Sequence, residues 1–481
     1  MVSLVLTWWA LGSQAFAVSA AESLLASGRL AESATAAQAA ARAAPDDIEV
    51  QVEWIDSMHF TGRTQEAVSV FAKRAELNPT DANGWALLGR ASQGAAASRT
   101  AYERALRIDP EHALAHLGMA AVHLVAGHIT EARDAYAVAT TYDVGLGEAW
   151  SGLVRTSLTL GDRPGALAAA RKGMAAVPED PTLVLWVAEL DPDSADKILR
   201  EGVARIPWAP RLSARLSEER LSLGDAAGAR TFAASALALD PTLTAAIAVF
   251  SPADEIVTGR LDFAAWERLA TARERLKDDP KGARAEFDAV VVAWPRSVLA
   301  LLGRSVCGTT LGDSVSAEAD LRSAASLAPA DGEVSGALGL LLLNLGRTAE
   351  AIRPLDVARS ARPWDAGLWY ASGMARARAG DVAGGLSILA QAENDFPRDA
   401  RLWTAHVDLL LTAGRTEEAT AVARAGLMHV SDPKLAAMYV AAAARSGRTA
   451  DAAALLEQLA SQSGSKVLAD LAAKLRATPP R

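Results

Sequence analysis

The stretch from 312 to 346, GDSVSAEADLRSAASLAPADGEVSGALGLLLLNLG, opens and closes on glycine and carries one proline, at 329. Working outward, Gly380 and Gly414 continue the same 34-residue step, Gly447 follows after 33, and the pairs Gly28/Gly62 and Gly127/Gly161 repeat it. Each of these glycines ends an apolar, alanine-rich run and is followed by Arg, Asp or His. The next run closes about 17 residues later, on prolines such as Pro45, Pro79, Pro178, Pro241, Pro295, Pro329, Pro363 and Pro397. A period between about 20 and 50 residues marks stacked supersecondary units, since one unit cannot bury its apolar face alone. The unit reads helix, glycine turn, helix, proline stop.

Inside the units the apolar residues keep helical spacing, as in Trp150, Leu153 and Leu158 or Ala351, Leu355 and Ala358. No sustained alternation argues for strands. Small residues at regular places let neighbouring helices approach closely, and Trp and Leu fill the gaps between them. The 481 residues are 51% apolar and 22% charged, a composition that folds rather than staying disordered. A net charge of -9 disfavours capture of nucleic acid or an anionic membrane through a basic field. Cys307 is the only cysteine, which excludes an intrachain disulfide and any CxxC motif.

The first 20 residues, MVSLVLTWWALGSQAFAVSA, carry no charge, and Ala15-Phe16-Ala17 offers a small-x-small cleavage pattern. That reads as a leader for export, placing the protein in a periplasmic or other exported compartment ahead of the cytoplasm. The absence of a preceding Lys or Arg leaves an apolar N-terminal helix on the first repeat, or an uncleaved membrane anchor, as alternatives.

Trp85-Ala-Leu-Leu88-Gly89, then Ala101-Tyr102-Glu-Arg-Ala105-Leu106, ending on Asp109-Pro110, resembles the tetratricopeptide repeat, whose pattern begins W-x2-L-G and ends on Pro. Thr130 to Ala139, Glu350 to Ala358, and Glu417-Glu418-Ala419 after Gly414-Arg415 look like second helices of the same repeat. The resemblance implies an all-α, right-handed α-solenoid of about 12 to 13 stacked helix-turn-helix repeats over roughly residues 14 to 463. Against that ruler, Gly224 and Gly312 stand 88 apart, two units plus about 20 residues. The sequence therefore divides into an N-terminal array at 21–241, an irregular junction at 242–261, a C-terminal array at 262–463, and a capping helix with a frayed tail at 464–481. Asp278-Asp279-Pro280 replaces one glycine turn, with Pro280 suited to the first turn of a helix.

No catalytic signature is present: no G-x-S-x-G, no phosphate-binding G-x-x-x-x-G-K-[ST], no H-E-x-x-H. The reading is therefore a non-enzymatic scaffold with no cofactor. Four of seven histidines lie between 112 and 128, and His112, His116 and His123 project within about 40° of one another on a helix. A metal site or an enzyme built on them is one alternative. Counting back from Gly127, however, His116 takes the place of Trp150 in the next unit, a packing position. Trp85, Trp150, Trp369 and Trp403 share that place, so they read as core, while Trp208, Trp294 and Trp364 read as packing over unit boundaries.

The resemblance also implies a concave groove lined by first helices, with a partner protein or peptide bound there. Mapped onto this sequence, its lining is Asp56 and His59, Arg90, Ser151 and Arg155, Ala214 and Glu218, Tyr370 and Met374, and Thr404 and Asp408. Arg378 and Arg401 fall close to the same surface. By analogy an exported scaffold of this kind would serve envelope assembly or secretion. Self-association through exposed apolar groove residues is the other alternative.

Overall fold

The computed structural model describes residues 30–61, 63–92, 94–463 and 465–477. Segment 1–20, with its leader reading, lies outside them, as do the turn glycines Gly28 and Gly62. The described residues form 27 α-helices and one short 3-10 turn, with no strand among them. They fall into two compact units, 1–254 and 255–481.

In the first unit a lone helix α1 (Leu30–Ala43) precedes six hairpins. These are α2 (Ile48–Phe60) with α3 (Thr64–Leu77), α4 (Ala82–Ala91) with α5 (Ala95–Ile108), and α6 (Ala113–Val125) with α7 (Ile129–Tyr142). Then come α8 (Gly147–Thr159) with α9 (Arg163–Ala176), α10 (Pro181–Leu190) with α11 (Ala195–Arg205), and α12 (Pro210–Ser222) with α13 (Ala226–Leu239). Helix α14 (Thr244–Val257), with Pro252 inside it, carries the division between the units at 254/255, and a turn at Gly259 with φ of 68° opens the second unit. The stretch 242–261 thus contains a single helix rather than a hairpin.

The second unit holds six more hairpins and a final helix. They are α15 (Phe263–Arg275) with α16 (Pro280–Ala293), α17 (Val298–Thr310) with α18 (Ser314–Leu327), and α19 (Gly332–Asn344) with α20 (Thr348–Ala361). Next are α21 (Ala366–Arg378) with α22 (Val382–Asp395), α23 (Ala400–Thr412) with α24 (Thr416–Leu427), and α25 (Pro433–Arg445) with α26 (Thr449–Ser463). Helix α27 (Lys466–Ala477) covers the end. Each unit is an all-α solenoid of helical repeats.

The glycine beat has a backbone cause. The turn glycines from Gly127 to Gly447 have φ between 68° and 98°, the left-handed conformation that ends a helix and that a Cβ disfavours. Where Asp follows, it starts the next helix: Asp162, Asp225 and Asp381 each accept the N–H of the glycine three residues on, at 2.8 to 2.9 Å. Asp279 does the same for Gly282, with Pro280 at the first helical position.

Close helix approach is set by small residues facing large ones. A Cβ on Gly152 would lie 2.4 Å from the ring of Tyr136, and one on Gly118 would lie 2.1 Å from the ring of Tyr102. The tryptophan places are core: Trp54, Trp150, Trp369 and Trp403 are 5% to 7% exposed, and Trp85 is half-buried. Trp208 and Trp364 depart from the expected boundary packing and face solvent, at 56% and 36% exposed. Around Trp208 the flanking Ile206 and Ala209 take the buried places, which turns the indole between them outward. Trp294 does pack, half-buried, on the core of the second unit.

Candidate functional site

The carboxylates of the first unit converge on one open cleft of about 1000 Å³. It is bounded by the starts of α2, α6 and α8, with Asn83 of α4 between them. Nine Asp and Glu side chains line it. Asp46, Asp47, Glu49, Glu53 and Asp56 come from the approach to α2 and its first turns; Asp109, Glu111, Asp143 and Glu148 come from the loops and first turns of α6 and α8. The floor is apolar, formed by Ile48, Val52, Leu114, Leu117 and Leu146, and Tyr142 stands on one wall, 45% exposed.

Some of this acidity is local bookkeeping of the fold. Helix N-termini expose N–H donors and favour nearby negative charge. Asp47 accordingly accepts from the N–H of Val50, Asp109 from Glu111 and Asp143 from Gly145. Other members are neutralised by arginine. The Arg90 guanidinium grips Asp56 at 3.0 and 2.7 Å and reaches Glu148 at 2.8 Å, tying α4 to α2 and α8. Burial opposes its charge, but the two carboxylates hold its pKa above the ordinary arginine value. Arg74 lies 3.6 Å from Asp46. Glu49 and Glu111 have no ion partner among the described residues, so the cleft keeps a large negative excess.

The three histidines of the metal alternative do not converge. Buried His112 caps α6: its Nδ1 accepts from the N–H of Ala115 and its Nε2 lies 2.8 Å from the Asn83 side-chain oxygen. The first bond fixes the tautomer, so Nε2 carries the proton and donates to Asn83. His116 points Nε2 at the Pro110 carbonyl and stacks on Tyr142 at 5.5 Å, and His123 tilts against His128 at 6.1 Å. No group of three His, Cys, Asp or Glu able to hold a metal ion exists among the described residues.

Of the residues mapped onto a groove, Asp56 lines the cleft and Arg90 is paired to it. His59 and Arg155 are exposed, the latter beside the Tyr136 hydroxyl. Glu218 is half-buried, 3.7 Å from Arg215, and burial pushes its carboxyl above the usual range. Ala214 is buried against Ala236 and Ala246, which removes it from any surface. In the second unit Tyr370 and Met374 lean on the core around Trp369 and Leu389. Arg401 is held by Asp399 at 3.0 and 2.6 Å, while Arg378 and Asp408 are exposed. Thr404 turns its hydroxyl back to the Arg401 carbonyl. Of the nine carboxylates, sequence spacing maps only Asp56 and misses Asp46, Asp47, Glu49, Glu53, Asp109, Glu111, Asp143 and Glu148. The signal was acidic residues just before or within the first turns of three first helices, α2, α6 and α8.

No helix among the described residues is long and apolar enough to cross a membrane. The tetratricopeptide repeat family model matches residues 83–143 and 268–332. No curated protein matches the chain. Among solved structures it is similar to the APC/C hetero-tetramer Cut9-Hcn1, at 14% identity over 98% of this chain and 98% of that one, with a TM-score of 0.33. It is similar to YrrB, a TPR protein with an unusual peptide-binding site, at 17% identity over 38% of this chain and 97% of that one, TM-score 0.29. It is similar also to pilF of Pseudomonas aeruginosa, at 16% identity over 41% and 94%, TM-score 0.34. The first matched span runs through the cleft wall at Asn83, Asp109, His112 and Tyr142, and the second through α16 and α18. The chain carries tetratricopeptide repeats in both of its units.

Proposed function

We propose that the protein is a protein-interaction scaffold with no chemistry of its own, and that its first unit holds a basic, partly apolar segment of a partner in the acidic cleft. Tetratricopeptide folds serve in general as such scaffolds. The observation that carries the specific reading is the charge of the cleft: nine carboxylates over an apolar floor, three of them, Asp46, Asp56 and Glu148, paired with Arg74 or Arg90. A Lys/Arg-bearing segment with one or two Leu or Tyr residues answers both features, the charges steering encounter and the apolar groups supplying burial. On the second unit Tyr370, Met374, Arg378, Arg401 and Asp408, carried by its first helices, would form a partner-binding surface of its own.

The test is fluorescence anisotropy of a labelled peptide alternating Lys and Leu against one alternating Glu and Leu, with the full chain at several salt concentrations. The Lys peptide should bind, weaken as salt rises, and weaken further with Asp109→Asn, Glu111→Gln and Asp143→Asn combined. Equal binding of the two peptides, or no effect of the triple change, would remove the cleft from the account. The leader reading of 1–20 adds an exported setting in envelope assembly or secretion. A mature chain starting just after Ala17 supports that setting, and one retaining Met1 rejects it.

A further inference from the structure

In the second unit α24, α25 and the start of α26 enclose a second, smaller recess of about 290 Å³. Its lining includes Thr420, Arg424, Met428, Tyr439, Arg448 and Asp451. Arg448 follows the turn glycine Gly447 as Arg63, Arg347 and Arg415 follow theirs. In those three turns a glutamate three residues on takes the guanidinium, Arg63 to Glu66 at 2.7 Å and Arg415 to Glu418 at 2.6 Å, with Arg347 and Glu350 paired likewise. In the turn at Gly447 that third place holds Asp451, one methylene shorter, and the Arg448 guanidinium makes no ion pair or hydrogen bond among the described residues. The Arg424 guanidinium makes none either. Two guanidiniums therefore line one recess without a carboxylate bonded to either.

Tyr439, 2% exposed, lines the same recess. Burial pushes its hydroxyl pKa up, Arg424 and Arg448 act to lower it, and Asp451 acts to raise it. Thr420 is fixed by its bonds to the Thr416 carbonyl and the Ser446 hydroxyl, so this wall is preorganised. Met428, 59% exposed, and two alanines supply an apolar side.

We propose that this recess binds a small carboxylate, with Arg424 and Arg448 on its oxygens, the Tyr439 hydroxyl donating to it, and Met428 covering its apolar body. Two guanidiniums and Asp451 leave one net positive charge, which a monoanion neutralises and a phosphate dianion exceeds. Planar guanidinium forks match carboxylate geometry. The volume stands near the lower end of ligand pockets, at roughly 300 Å³, which suits a ligand the size of an amino acid.

Calorimetric titration of the full chain with N-acetyl-leucine tests this, with N-acetyl-leucinamide as the uncharged twin. An acetylated peptide ending in leucine with a free carboxylate separates a small molecule from a chain end as the source of the group. The carboxylate should bind saturably, the amide at least about tenfold more weakly, and Arg424→Gln or Arg448→Gln should each lose about tenfold. Arg445→Gln, exposed and outside the recess, should bind like the parent. Thermal unfolding of the variants confirms that they fold. Absence of saturable binding to the parent, equal binding of acid and amide, or parent-like binding by both Arg424→Gln and Arg448→Gln overturns the proposal.

Discussion

His116 places its Nε2 2.8 Å from the carbonyl oxygen of Pro110, six residues back. Trp85, Trp150, Trp369 and Trp403 place their indole nitrogens 2.8 to 3.0 Å from the carbonyl six residues back in their own hairpins, on Pro79, Val144, Pro363 and Pro397. The loop carbonyl at these five repeat boundaries is therefore answered by a ring N–H from the following first helix, and in the α6 hairpin an imidazole does the work of an indole. Stacking on Tyr142 fills part of the volume that the smaller ring leaves.

Trp369 separates the bond from the packing. Its ring is 5% exposed and lies under Arg359 at 4.5 Å. Trp369→Phe keeps an aromatic face and loses the donor to Pro363, for about 0.5 to 1.5 kcal/mol. Trp369→Ala opens a cavity as well, for about 3 to 5 kcal/mol. Urea unfolding should show this order, and equal losses in the two variants would mean that packing around the ring contributes nothing beyond the bond.

His112 makes the first unit sensitive to acid. Burial holds its ring below the ordinary histidine pKa, with Asp109 and Asp81 acting the other way and His116 adding to the depression. A proton on Nδ1 would also abolish the bond from Ala115. The unfolded chain binds that proton near pH 6.5 and the folded chain only at lower pH. The contribution is thus complete above pH 6.5 and is lost as pH falls toward the folded pKa. His112→Asn keeps a capping acceptor and should flatten the decline in urea midpoint between about pH 7 and 5; an unchanged slope would show that the ring does not titrate as described.

Glu255 acts in the opposite sense. It is 3% exposed, accepts from the Leu299 N–H at 3.0 Å, and bonds the Ser297 hydroxyl at 2.6 Å, bracing the start of α17. Burial raises its carboxyl pKa despite those bonds and the pull of Arg260. Its folded pKa therefore exceeds the unfolded value near 4.3. The stabilisation is complete below the unfolded value and disappears as pH rises through the folded one. Glu255→Gln, which can keep both bonds without charge, should gain on the parent as pH rises, while Glu255→Ala should lose both bonds at every pH. A constant difference between Glu255→Gln and the parent across the pH range would contradict the raised pKa.

The beat of turn glycines was legible because each turn needs a left-handed residue at a fixed chain distance, as at Gly312, Gly346, Gly380 and Gly414. The Trp places were legible from the same ruler. Helix α14 was hidden by Pro252, which reads as a breaker yet stands within the helix. The cleft was hidden for a different reason. Asp47, Asp109 and Asp143 each have a sufficient local explanation as partners of nearby backbone N–H groups. Only stacking α2, α6 and α8 brings residues up to about a hundred positions apart, such as Asp46 and Glu148, to one surface. Periodicity finds what every repeat shares, and this cleft belongs to a few repeats only.

Arg90 sets stability and recognition against each other, and that opposition gives the sharpest test of the cleft. Its guanidinium neutralises Asp56 and Glu148, but the side chains are 39% and 59% exposed, so solvent screens both pairs. Arg90→Gln should therefore cost only about 1 to 2 kcal/mol in unfolding. The same change releases two carboxylates into the cleft and removes a cation bonded to its wall. Affinity for a Lys-bearing peptide should rise, by about threefold to tenfold at low salt, and the gain should shrink as salt screens it. If the cleft served only to hold hairpins together, the variant would lose stability and peptide binding in step. A less stable protein that binds the basic peptide more tightly is the outcome that a recognition surface demands.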